Sequence, residues 1–462
     1  MRTQPSARSA PAASAADRPP VGLSAAVLFT GYTILCLVPL LLAVIQGNPL
    51  RDFTRELSGG LIMVAYVMML LQFIMSGRFE TLTGRTGIDR TMRFHVVATR
   101  YIMAAVIVHP LLYSVPDLYP NPMDAVASLH RRFFVAPTLR TGVIAWWLMI
   151  LLVLLAVWRD RLPFRYEWWR LSHGVLAVVI ALYGTHHTLR VGTYSADPLL
   201  AGFWKVATAA AVFTMVYIYF IKPLLHLRKP YRLVSNRKVA DRMWELVLEP
   251  EHGPPMPYAA GQFAWVNLGH SPFSLTEHPF SISSAPVEQP RIAFTIKESG
   301  DFTNQIGTIP IGTRSYIDGP HGNFITAGRE TKGIVFIAGG VGFAPVMGIL
   351  RQLKIEGHPD PLRLIYGNRV ETQILCRDEI DALSQSLDFQ VHYVLSEPPP
   401  GWTGLAGDLT PDVLARCLDP LKGDGWLYFV CGPPVMINAV ERALLDRGIP
   451  SSRIIEERFK YD

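Results

Sequence analysis

Five histidines sit inside apolar stretches of this 462-residue chain: His95 and His109 in one, His173, His186 and His187 in another. Ionisable side chains in such stretches mark functional sites by default; the plainer use is a hydrogen bond between helices. The spacing favours ligation. His95 and His109 are fourteen positions apart, which on an α-helix is about 21 Å of rise and about −40° of rotation. Both therefore share one face, one towards each end. If the two stretches are parallel helices, His173 stands level with His95, and His186 or His187 stands level with His109. Two stacked pairs of imidazoles result. Haem iron accepts one imidazole on each axial side, whereas zinc prefers four ligands. Counting from His173, ideal geometry puts His187 at about −40° and His186 near −140°. Gly184 and Thr185 precede the doublet, and a local distortion there would bring His186 round instead.

Further along, other residues suit a flavin and a nicotinamide dinucleotide. In "HPFSISS" (278–284), the ring of Phe280 suits the face of an isoalloxazine, Ser281 its N5 and His278 the phosphates; Pro279, Ser283 and Ser284 complete the motif. "GDFTNQI" (300–306) places Gly300, Phe302 and Thr303 at a helix start, where bare N–H groups can face a pyrophosphate. "GGVGFAP" supplies Gly339, Gly340, Gly342 and Pro345 between a strand and a helix. It departs from G-x-G-x-x-G, but its glycines still admit a dinucleotide phosphate. No acidic residue ends the following strand, where an NAD ribose would want one. Arg369 of "YGNR" stands there instead and suits a 2′-phosphate, so NADPH is expected ahead of NADH. In "CGPP", Cys431, Gly432 and Pro433 follow a strand and place the thiol near a nicotinamide; a structural cysteine is the plainer use. Phe459, near the end of the chain, is a candidate shield for the flavin.

The elements that must carry these residues follow from composition. Half the chain is hydrophobic and only 17% is charged, against roughly 25% in soluble domains. Six apolar runs, near 24–46, 60–76, 95–115, 141–158, 171–190 and 200–221, each approach the ~20 residues that cross a bilayer. Basic residues gather on one side of six such crossings: Arg78, Arg85, Arg90 and Arg93, then Arg159, Arg161, Arg165 and Arg170, then Lys222, Arg228, Lys229 and Arg232. That side is expected to be cytoplasmic, although Arg131, Arg132 and Arg140 fall on the other. Scattered loop arginines do not make a nucleic-acid surface, so no nucleic-acid partner is expected. The four cysteines form no CxxC, so neither a zinc site nor a disulfide framework is expected.

Residues 1–22, rich in Ala, Ser and Pro, read as a disordered cytoplasmic tail, and 23–225 as the six-helix dihaem bundle. Short alternating strands in 231–328 predict an antiparallel barrel for the flavin. In 329–462, apolar strands alternate with helices, which predicts a parallel α/β sheet for the nicotinamide.

Taken together, the two histidine pairs followed by "HPFSISS", "GGVGFAP" and "CGPP" resemble the transmembrane ferric reductase and NADPH oxidase superfamily, over about 24–462. The resemblance implies two b-type haems in a six-helix bundle of the cell (inner) membrane, fused to a cytoplasmic ferredoxin-reductase-like FAD and NAD(P)H module. It implies electron flow from NADPH through FAD to an inner haem (His95, His173) and an outer haem (His109 with His186). The acceptor is then oxygen or a ferric chelate; an extracytoplasmic acceptor protein served by this chain is the alternative. Thirteen-residue spacing on the fifth helix is common in that family, which favours His186 where ideal helical geometry favours His187.

Overall fold

The computed structural model describes residues 21–458, apart from 120, 164, 420 and 422–424. Residues 1–20 of the expected tail, and Phe459, lie outside the described residues. Two compact units divide the chain, one from Gly22 to Pro223 and the other beginning at Leu224.

Among the described residues, six helices are long and apolar enough to cross a membrane. They are α1 (Ala25–Ile45), α2 (Phe53–Met75), α3 (Ile88–Ser114), α4 (Arg140–Val157), α5 (Tyr166–Val191) and α6 (Pro198–Val216). Each of the six apolar runs lies on one of them. Side chains cap their starts where donors would go unpaired: Ser24 accepts from the Val27 amide, and Asp197 from Leu199 and Leu200, with Pro198 at the first turn. Helix α3 carries Pro110 directly after His109. A proline cannot donate to the carbonyl four residues back, and in hydrocarbon an orphaned carbonyl is costly. The Trp146 indole of α4 supplies the missing donor to the Val106 carbonyl at 3.0 Å. Helix α2 packs along α3, and α4 along α5. Large apolar side chains such as Leu37, Leu41, Val206 and Phe213 face outward, as a lipid-facing surface requires.

The second unit holds two sheets. Strands β1 (Tyr231–Ala240), β2 (Met243–Pro250), β3 (Phe263–Leu268), β4 (His278–Ser281), β5 (Ile292–Lys297) and β6 (Arg314–His321) form an antiparallel sheet in the order β4-β3-β6-β1-β2-β5. Its two edges meet where Ile282 bridges Phe294 and the Ser283 amide donates to the Ala293 carbonyl at 2.8 Å, closing a barrel. Strands β7 (Ile334–Gly339), β8 (Leu362–Asn368), β9 (Phe389–Leu395), β10 (Leu405–Ala406), β11 (Leu427–Cys431) and β12 (Ile454–Glu457) form a wholly parallel sheet, order β10-β9-β8-β7-β11-β12. Helices α7 (Phe343–Glu356), α8 (Arg377–Leu383), α9 (Pro411–Leu418) and α10 (Pro434–Asp446) cover it. Every residue of β7 is buried, as a central parallel strand covered on both faces must be. The chain leaves β7 towards β8 on one side and returns at β11 on the other. That reversal opens a crevice at the carboxyl ends of β7 and β11, where open α/β sheets bind ligands.

Candidate functional site

In the bundle, α3 and α5 present their histidines to each other. The rings of His95 and His173 have centres 6.4 Å apart. An iron bonded to two imidazoles at about 2 Å, with roughly 1.2 Å from each bonded nitrogen to its ring centre, needs ring centres roughly 6.4 Å apart. The pair therefore fits a haem iron. Among the described residues no group of three or more His, Cys, Asp or Glu side chains could hold a metal ion. Trp169, one turn before His173, lies against its ring at 5.3 Å.

At the other end of the bundle the structure departs from the expectation built on His186. Helix α5 stays regular from Tyr166 to Val191. Gly184 and Thr185 introduce no distortion, because the Tyr66 hydroxyl of α2 bonds both the Ala181 carbonyl and the Thr185 hydroxyl at 2.6 Å. Ideal rotation therefore carries through the doublet. His187 turns inward, within electrostatic reach of His109, and its ring lies against Gly142 of α4, where a Cβ would stand 2.4 Å from Nδ1. His186 is exposed and its Nδ1 meets the Thr141 hydroxyl at 3.1 Å. The residue facing His109 is His187, not His186.

Two residues on α2 complete this arrangement. The Gln72 amide oxygen lies 3.2 Å from Nδ1 of His95, and the Ser58 hydroxyl 2.8 Å from Nδ1 of His109. Both α2 side chains are buried. Sequence reasoning missed Ser58 and Gln72; the signal that could have found them is that they too stand fourteen positions apart. Beyond His109 lies the ring of Tyr113, at 5.4 Å, flanked by Arg51 and Arg132. Arg51 donates to the Tyr113 and Thr193 hydroxyls and pairs with Glu56 at 2.7 Å.

In the barrel, "HPFSISS" runs along β4 and just past it. Pro279 and Phe280 pair with Trp265 and Ala264 of β3. Ser283 and Ser284 are buried and spend their hydroxyls on the barrel itself: Ser283 accepts from Thr295, while Ser284 accepts from the Ala293 amide and meets the Tyr258 hydroxyl. No such bond holds Ser281 among the described residues. His278 stacks on Phe302 with centres 4.4 Å apart and planes 18° from parallel, so the two flavin motifs meet. The expected helix at Gly300 is a six-residue 3₁₀ turn, Thr303–Thr308. Its amides are not all bare: the Thr303 hydroxyl accepts from both Ser299 and Gly300 at 2.9 Å. Thr303 is thus a local cap, and Ser299 and Gly300 have no N–H to spare for a phosphate.

At the crevice, "GGVG" and "CGPP" touch backbone to backbone. A Cβ on Gly342 would stand 2.5 Å from the Cys431 carbonyl oxygen, and Gly340 has φ +53° with open space around it. Both positions demand glycine. Pro345 sits in the first turn of α7, where its missing N–H is harmless. Gly339 and Gly432 both press on Met436, and Pro433 approaches Gly339. The Cys431 side chain is buried, and that burial pushes its thiol up, so it stays protonated. Arg369 is exposed just past β8, with the Glu397 carboxylate 3.9 Å away.

Arg351 of α7 carried no motif and was missed. Its Nη1 donates to the Ser283 carbonyl at 2.8 Å, while Nε and Nη2 form a two-point pair with Glu379 of α8, also at 2.8 Å. It ties the dinucleotide-side helix to the flavin-side strand. Gly348, one turn earlier, allows the contact: a Cβ there would lie 2.9 Å from the Ile282 carbonyl.

Known families match these parts in the same order. Residues 61–184 match "Ferric reductase like transmembrane component", 229–323 "FAD-binding domain" and 336–442 "Oxidoreductase NAD-binding domain". Among curated proteins, NADH-cytochrome b5 reductase 1 of Cryptococcus neoformans is 33% identical over 169 residues, 35% of this chain and 58% of that protein. The protein of the same name from Pyricularia oryzae is 27% identical over 209 residues, 44% of this chain and 65% of its own length. The chain thus spans less than two thirds of these relatives. Solved structures with a similar fold include the ferredoxin reductase in carbazole 1,9a-dioxygenase (TM-score 0.45, 23% identity, 50% of this chain and 69% of that one). Another is the cytochrome b5 reductase domain of Ulva prolifera nitrate reductase (TM-score 0.43, 22% identity, 50% and 97%). The chain thus carries, in order, six helices long and apolar enough to cross a membrane, with a stretch similar to a ferric-reductase-like transmembrane component, and then stretches similar to an FAD-binding and an NAD-binding oxidoreductase domain.

Proposed function

We propose that this protein carries electrons from cytoplasmic NADPH across the cell (inner) membrane to an acceptor outside, through FAD and two b-type haems. The observation that carries this reading is the pairing of His95 with His173 at an iron-bridging separation; at the far end His187 lies within electrostatic reach of His109. These four are the proposed haem ligands. His187 replaces His186 in that set because α5 keeps its ideal rotation.

When bound, the flavin supplies the step from hydride to single electrons, and the haems pass those electrons on. The chain's own residues position them. Phe280 and Ser281 at β4, with the His278–Phe302 stack beside them, form the flavin side. The glycines of β7 and the turn after β11 open the crevice for the dinucleotide. Cys431 stays a neutral thiol there and moves no proton. Arg351 keeps the two sides in register. Arg369 favours the 2′-phosphate of NADPH; the NADH named for the curated relatives is the competing donor. The basic loops support a cytoplasmic location for the reductase unit.

Oxygen and ferric chelates are the proposed acceptors. Purified protein loaded with haem and FAD is expected to oxidise NADPH aerobically. Superoxide-dismutase-sensitive reduction of added cytochrome c would identify oxygen as acceptor; reduction of a ferric chelate without oxygen would identify iron. Silence towards both, in protein whose haems NADPH does reduce, would point instead to an extracytoplasmic partner protein. A preparation that never holds haem would refute the reading.

A further inference from the structure

We propose that α2 tunes the two histidine pairs independently, through Gln72 on His95 and Ser58 on His109. This inference rests on the bis-histidine haem reading above. Three helices share one period: Ser58 and Gln72 on α2, His95 and His109 on α3, and His173 and His187 on α5 are each fourteen positions apart. Helix α2 packs along α3 in the opposite direction, since its later Gln72 meets the earlier His95 and its earlier Ser58 meets the later His109. Gln72 therefore stands level with His95, and Ser58 with His109.

The hydrogen bonds fix where the protons lie. A serine hydroxyl has one hydrogen to give. Ser58 gives it to the His109 backbone carbonyl at 2.9 Å. Its oxygen, 2.8 Å from the His109 ring, must then accept, so Nδ1 carries the proton. The amide nitrogen of Gln72 donates to the Tyr32 hydroxyl at 3.0 Å, which turns its oxygen, an acceptor only, towards Nδ1 of His95. His95, Gln72 and Tyr32 thus form one buried chain in which each bond polarises the next. Both α3 histidines are held as the Nδ1–H tautomer, which leaves Nε2 free for iron. On α5 the situation differs. Nδ1 of His173 and Nδ1 of His187 are buried without a hydrogen-bond partner among the described residues.

An acceptor on Nδ1–H makes an imidazole more basic and donates more electron density to its metal. That stabilises ferric iron and lowers its reduction potential. Each haem then has one tuned ligand, from α3, and one untuned ligand, from α5, and a different α2 side chain serves each.

The test is a spectroelectrochemical titration of the purified, haem-loaded full-length protein, resolved into its two midpoints, with EPR of the ferric state. Gln72→Leu and Gln72→Met are expected to raise only the midpoint of the His95–His173 haem. Ser58→Ala is expected to raise only the other. The EPR signal of the affected haem should shift in parallel. Haem present at full stoichiometry with both midpoints unmoved would overturn the inference while leaving the haem reading intact. Loss of haem from every variant would also overturn it, by reducing both residues to structural contacts. Wild-type protein without haem would instead defeat the reading on which the inference rests.

Discussion

The membrane unit and the reductase unit build their sites by opposite means. In the bundle the site is made of side chains. Each is a costly polar group in an apolar setting, set at the same height on three helices by one fourteen-residue period. In the reductase unit the site is made largely of backbone, exposed where side chains are missing: Gly340 and Gly342 at the crevice, and Gly348 under the flavin strand. The difference teaches where each is vulnerable. Removing one of the proposed ligands in the bundle should empty a whole site. In the reductase unit the severe lesion is an added side chain, and removing one should only grade the function down.

The largest effect expected is therefore in the bundle. His187→Ala should halve the haem content measured as the pyridine haemochrome, whereas His186→Ala should leave it whole. The reverse outcome would restore the thirteen-residue spacing. Next comes Gly342→Val, whose Cβ would meet the Cys431 carbonyl. NADPH oxidation should fall by about 100-fold or more, the scale of a misplaced reactant, with both haems still bound. Arg351→Met keeps the length of the side chain but loses its bonds to Ser283 and Glu379. The rate of flavin reduction in stopped flow should drop roughly tenfold, with little change in the NADPH concentration that half-saturates it. Arg369→Ala should raise KM for NADPH about tenfold, the scale of a charge-assisted contact, and leave KM for NADH unchanged. Smallest is Ser284→Ala. It strands the buried Ala293 amide, at a cost of about 1–2 kcal/mol, seen as an earlier release of flavin on heating.

Much of this architecture could be read before any coordinates. Long apolar runs can only be helices in a bilayer, so the six spans were legible, and the fourteen-residue spacing of His95 and His109 already implied one shared face. The strand–glycine–helix order at Gly339–Pro345 likewise implied the crevice. What stayed hidden depended on partners far away in sequence. The choice between His186 and His187 turned on Tyr66, which keeps α5 regular from across the bundle. Ser58 and Gln72 looked like ordinary polar residues, because a lone serine or glutamine in an apolar helix signals nothing until its neighbour is known. Thr303 looked like the start of a phosphate-binding helix, but its hydroxyl folds back on the loop before it. Arg351 is an arginine in an amphipathic helix until the barrel packs beneath it.

The proposed electron path runs through both units. Its most direct test is anaerobic rapid mixing of the purified, haem- and FAD-loaded protein with NADPH, following flavin and haem absorbance together. The flavin band is expected to bleach first and both haems then to become reduced, at a stoichiometry of two per chain. Flavin reduction with the haems left oxidised, or a protein that binds FAD but no haem, would contradict it.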